Sequence, residues 1–143
     1  MSETPDPDHV RPAGVSDATV DALGKLSAAL EVIENARGQL YGFHRMTGEA
    51  DLALGEAVHA LRESGATALA DDLEAELVGR NVIEGRWTFQ IVEDYDDGYY
   101  ATFKALEKRA RDELADGRRH LFESEMKEDR RTHGRRHHES RPD

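Results

Sequence analysis

From Asp17 to Met46 an apolar residue returns every three or four positions: Leu23, Leu26, Leu30, Ile33 and Leu40, with Ala22, Ala29 and Ala36 beside them. At about 100° per residue these side chains fall on one stripe of an α-helix, and Ser16 just before it offers an N-cap. A helix of those thirty or so residues is about 45 Å long, more than a compact monomer of 143 residues covers with its own side chains. The stripe therefore implies a partner helix or a dimer.

Glycine punctuates the chain beyond Met46. Gly48 supplies a stop, and a second helix is expected over residues 49–64, with Leu54, Ala57, Val58 and Leu61 on one face before Gly65 ends it. A third pattern starts near Ala66, carrying Leu69, Ala70, Leu73 and Leu77, with Gly79 and Gly85 as candidate interruptions; if it continues through Gly85, Trp87 and Ile91 join its stripe. The next stretch reads two ways. Alternating Trp87, Phe89 and Ile91 ahead of Asp96-Asp97-Gly98 suits a β-hairpin. Val92, Tyr99, Phe103, Leu106, Ala110, Leu114 and Leu121, however, keep helical spacing, and Lys104 to Glu113 is rich in helix formers, so a long helix is the preferred reading. The expectation is an all-α fold of about four antiparallel amphipathic helices, a helical bundle in a single domain over residues 16–129. Disordered ends flank it: a flexible leader over residues 1–15, holding three of the four prolines, and a basic tail over residues 130–143.

Charge narrows the partners. The 30 acidic and 19 basic residues give a formal charge of -11, placed unevenly: -14 before position 130 and +3 from Arg130 onward. Such an acidic body repels phosphate backbones, which makes nucleic acid an unlikely partner, while the arginine-rich tail suits an acidic protein partner. With no cysteine, disulfides, iron–sulfur clusters and cysteine zinc sites are excluded, and a cytoplasmic location is expected. No apolar run approaches the eighteen or so residues of a membrane span, so no membrane role is expected.

Polar residues interrupt the stripes, and they are the site candidates. Arg37 and His44 project from the first helix, Asp96 from the last, and Arg80 and Glu84, four residues apart, from the third. In a core each charge needs a partner. One outcome is a set of buried ion pairs that fix which helices pack together. The other is a pocket in which His44 and Asp96 act as a catalytic acid/base pair, Arg37, Arg80 and Glu84 hold a ligand, and Tyr99 lines the wall with Tyr95 or Tyr100. For metals, Glu56-Ala-Val-His59 is the single Glu-x-x-His pair, on the side away from Leu54, Val58 and Leu61. Glu31 and Glu34 with Glu93 and Asp96 make a weak magnesium pattern, and Glu34 can instead pair with Arg37 on its own helix. No cofactor is implied.

The segment GRNVIEGRWTFQIVEDYDDGYY, with MKEDRRTHGRRHHE after it, resembles small uncharacterised helical proteins of high-GC actinobacteria; arginine outnumbering lysine 15 to 4 is in keeping with a GC-rich coding sequence. The resemblance spans roughly residues 17–138 and implies helices, with no activity, cofactor or catalytic residue attached. The sequence thus points to a cytoplasmic structural or interaction module that self-associates as a homodimer. The alternative is a small helical-bundle enzyme or ligand- or metal-binding protein built on the His/Asp/Arg cluster.

Overall fold

A computed structural model describes residues 3–141. The fold is all-α, with no strand among the described residues: α1 (Asp17–Glu63), α2 (Thr67–Glu76), α3 (Thr88–Tyr95), a π-helical turn (Asp96–Tyr100), α4 (Ala101–Ala115) and α5 (Leu121–Arg130). No helix among these residues is long and apolar enough to cross a membrane.

Ser16 caps α1 as its sequence suggests, its Oγ accepting the Thr19 amide at 3.1 Å. The expected stop at Gly48 does not occur; α1 runs on through the segment assigned to a second helix and ends at Gly65, which has φ +92°. There the Ala66 amide reaches back to the Leu61 carbonyl at 2.9 Å and that of Gly65 to Arg62 at 3.1 Å, a Schellman ending. Glycine inside a helix costs only about 1 kcal/mol, and packing along α1 outweighs that at Gly48. The third helix is interrupted where the glycines allow, and α2 ends at Glu76. Gly79 and Gly85 take positive φ, and the chain turns through an Ile83–Arg86 bridge before Trp87, so Trp87 and Ile91 do not extend the face of Leu73 and Leu77. The helical reading of 88–115 holds: Asp96-Asp97-Gly98 forms the π turn, not a hairpin. The break comes later, at Asp116 (φ 52°), Gly117 (φ 74°) and His120 (φ 57°), which separates Leu121 from α4.

The chain divides into two compact units. The terminal unit comprises residues 3–33 and 101–141 of the described chain; the middle unit is Glu34–Tyr100. In the terminal unit Val20 and Leu23 of α1 meet Ala115 of α4 and Leu121 of α5, with Val15 and Ala110 against them. Gly24 lets the Phe122 ring sit on α1: a Cβ there would lie 2.8 Å from the ring's Cγ. Buried Glu107 accepts from Arg111 at 2.8 Å and from the Ser27 hydroxyl at 3.2 Å. Residues of both stretches read as leader and tail take part in contacts of the terminal unit. Pro7–His9 forms a short 3-10 turn; Arg11 chelates Glu125 at 2.7 and 3.0 Å; and Arg131, its side chain 1% exposed, joins Glu3 at 3.0 Å to Glu128 at 2.7 Å. Residues 1, 2, 142 and 143 lie outside the described residues.

In the middle unit α1 presents Arg37, Leu40, His44, Thr47, Asp51, Leu54, Val58 and Leu61 inward, alternating steps of three and four as in a coiled-coil seam. Against it run Thr88, Val92 and Asp96 of α3 and the π turn, in antiparallel order, since Arg37 meets Asp96 and His44 meets Thr88. Arg62 holds α2 to the end of α1 through Asp71 and Glu74.

Candidate functional site

The sequence candidates are brought partly together. Arg37 grips Asp96 with two parallel hydrogen bonds, Nε to Oδ1 at 2.7 Å and Nη2 to Oδ2 at 2.8 Å. Its guanidinium lies over the rings of Tyr100 (5.3 Å) and Tyr41 (5.8 Å). Tyr100 Oη donates to both oxygens of Glu34, at 2.8 and 2.7 Å, so Glu34 hydrogen-bonds the tyrosine and acts on Arg37 through its charge. Hydrogen bonding to Asp96 holds the Arg37 guanidinium firmly charged, and donation to Glu34 raises the Tyr100 phenol above its ordinary 10.0. Tyr95 stacks on Tyr100 (6.2 Å) and tilts against Tyr99 (5.9 Å).

The π turn explains this convergence. It widens the helix at Asp96–Tyr100, and both Asp96 and Tyr100 reach α1 from it. The Asp96 carboxylate is held by a fixed cation. Asp96 is thus taken by Arg37 and Glu34 by Tyr100, while Glu31 and Glu93 are exposed, so the four do not come together as a magnesium site.

His44 goes elsewhere. Its Nδ1 lies 2.7 Å from the Thr88 hydroxyl and its ring meets Tyr41 edge-on at 5.6 Å, so the structure pairs His44 and Asp96 with different residues and not with each other. Arg80 and Glu84 do not pair on a helix, because α2 ends before them; both are exposed, and Arg80 Nη1 reaches only the Glu76 carbonyl, at 3.4 Å. Glu56 and His59 lie exposed on α1. Among the described residues no three His, Asp or Glu side chains converge as a metal site requires. Of the tail, Arg131 is taken by Glu3 and Glu128, whereas Arg135 and Arg136 are exposed.

A feature the sequence analysis missed lies beside this seam. A cleft of about 830 Å³ opens between α1 and the 77–88 segment, with Leu54, Leu77, Val82 and Trp87 as walls and Ala50 at its rim. Asp51 fastens the loop that forms one side, its Oδ1 accepting the Gly79 amide at 2.8 Å. Trp87 is 57% exposed and packs edge-on against Phe89 at 5.3 Å. Continuing from Ala50 along the outside of α1, Ala36, Gln39, Phe43, Met46, Ala53 and Ala57 again alternate steps of three and four, and all are exposed. The signal was present as the seven-residue spacing of Ala36, Phe43, Ala50 and Ala57, hidden behind the stronger inner stripe.

Comparison of the chain with protein-family models, curated proteins and solved structures found no match.

Proposed function

We propose that this protein is a cytoplasmic structural or interaction module that self-associates as a homodimer through its middle unit. One observation carries the reading. Within Glu34–Tyr100 three apolar residues are buried, Val58, Ala70 and Val92, while eleven large apolar side chains remain exposed, among them Met46, Leu52, Ile83 and Trp87. Scattered exposed apolar residues are ordinary, but a cleft continuous with an apolar helix face is the mark of an interaction surface. The polar residues of the seam support the same reading. Arg37 with Asp96, Glu34 with Tyr100 and His44 with Thr88 satisfy one another and set which helix faces which. The absence of cysteine fits a reducing compartment.

Sedimentation velocity of the full chain at micromolar concentration tests the proposal. A concentration-dependent dimer is expected; a monomer throughout that range overturns it.

A further inference from the structure

We propose that the occupant of the outer face of α1 is the same face of a second copy, packed antiparallel about Met46, with the partner's Phe43 entering the cleft rimmed by Ala50. This rests on the homodimer reading and adds its geometry.

The argument begins with the layers of the outer stripe: Ala36, Gln39, Phe43, Met46, Ala50, Ala53 and Ala57. Gln39, Phe43 and Met46 form its large middle, with Ala36 before them and Ala50, Ala53 and Ala57 after them. A parallel pair sets Phe43 beside Phe43 and Ala50 beside Ala50, so the helix axes are held apart at one layer and left with a void a turn later. Reversing one helix about Met46 pairs Phe43 with Ala50 and Gln39 with Ala53, and two methionines, the most adaptable of apolar side chains, share the axis. Each large residue other than Met46 then faces an alanine, and Ala36 meets Ala57 at either end. Charge agrees with volume. On the flank of the stripe lie Asn35, Gly42, Glu49 and Glu56; reversal sets Glu49 against Gly42 and Glu56 against Asn35, whereas a parallel pair gathers all four glutamates at one end.

The cleft then has a reason. Ala50 belongs both to the outer stripe and to the cleft rim, beside Val82 and Trp87, so a ring arriving opposite Ala50 is delivered to the cleft mouth. Aromatic anchors in such pockets dominate interfaces, and a two-fold axis repeats the contact. Phe43 is 43%, Met46 63%, Leu77 47% and Trp87 57% exposed, so both the stripe and the cleft walls leave apolar area for a partner to cover.

The chain has no cysteine, so single introduced cysteines report the geometry without background. Met46→Cys, Ala36→Cys and Ala57→Cys all replace exposed residues. Under mild oxidation Met46→Cys is expected to form a covalent dimer alone, Ala36→Cys and Ala57→Cys to remain uncrosslinked alone, and a mixture of the last two to crosslink. All three crosslinking to themselves means a parallel pair and overturns the proposal. A wild-type dimer that none of the variants traps uses another face, which overturns this geometry but leaves the homodimer reading; a wild-type monomer overturns both. In a second measurement, dilution of wild type moves the emission of Trp87 to the red as its cleft empties, and Phe43→Ala raises the dimer dissociation constant at least tenfold. An unchanged constant in Phe43→Ala removes Phe43 as the anchor.

Discussion

The two units use charge in opposite ways. In the terminal unit ion pairs stand apart from a small apolar core: Val20, Leu23, Ala115 and Leu121 are enclosed, and the buried charges Glu107 and Arg131 are paired, Glu107 with half-buried Arg111 and Arg131 with Glu3 and Glu128. In the middle unit Arg37, His44, Thr47 and Asp51 occupy the inward seam itself, while Phe43, Met46 and Trp87 stand outside. Polar groups in a seam give direction and pairing choice, and apolar groups supply most of the stabilisation. The terminal unit has both within its own chain. The middle unit has the first and leaves much of the second facing outward, and that outward face is the one the proposed dimer uses.

Truncating each unit's apolar residues is the sharpest way to break this contrast. Leu121→Ala, at 3% exposure, removes a member of the terminal core and is expected to cost about 3 kcal/mol by denaturant unfolding. Leu77→Ala, half exposed in the middle unit, costs no more than about 1 kcal/mol in dilute chain, where no partner covers it. Equal costs would erase the distinction.

Glycines provide a second contrast. Gly24→Ala drives a methyl into the Phe122 ring and is expected to destabilise by about 2 kcal/mol, lifting α5 from α1. Gly38→Ala meets open space in the middle of a helix and is expected to stabilise by about 0.5–1 kcal/mol. Thermal unfolding reads both, and a cost at Gly38 would mean that its face is covered in solution.

Acid separates the units more gently. Hydrogen bonds from Arg131 and His133 hold the Glu128 carboxyl down to about 2, from 4.5. Because the folded value is the lower, its contribution is complete above the unfolded value and is lost as pH falls from 4.5 toward 2. Glu3, lowered by Arg131, works in the same direction. Thermal stability is therefore expected to fall by a few degrees across that window, and Glu128→Gln to flatten the slope. Trp87, the single tryptophan, sits in the middle unit, so its emission tells whether that unit follows or lags the loss of helix seen by circular dichroism. An unchanged slope in Glu128→Gln would show that this clamp does not govern acid stability.

The features legible in the chain itself are those that a single turn of helix decides. The period of Leu23, Leu26, Leu30 and Ile33 announced α1, Ser16 its start, and helical spacing from Val92 to Leu114 outweighed the Asp-Asp-Gly turn signal. Arg37 and Asp96 stood out because each interrupts an apolar stripe, and a charge on a stripe requires an opposite charge nearby. Their meeting, the loss of Arg80 and Glu84 from any helix and the cleft behind Trp87 were not legible, since each depends on segments far apart in the chain.

By itself, then, the sequence determined that the chain is helical, where helix α1 begins, that a helix stops at Gly65 and which polar residues stand out on apolar stripes. Tertiary structure decided the rest. Gly48 is passed over and Gly79 is not, because glycine permits both outcomes and neighbouring packing chooses between them. Glu34 was within reach of Arg37 on its own helix, yet the π turn delivers Asp96 to the arginine and Tyr100 to the glutamate. Local propensity acts over one turn of chain, whereas the choice among equally suitable partners is made by whichever arrangement leaves no buried polar group unpaired.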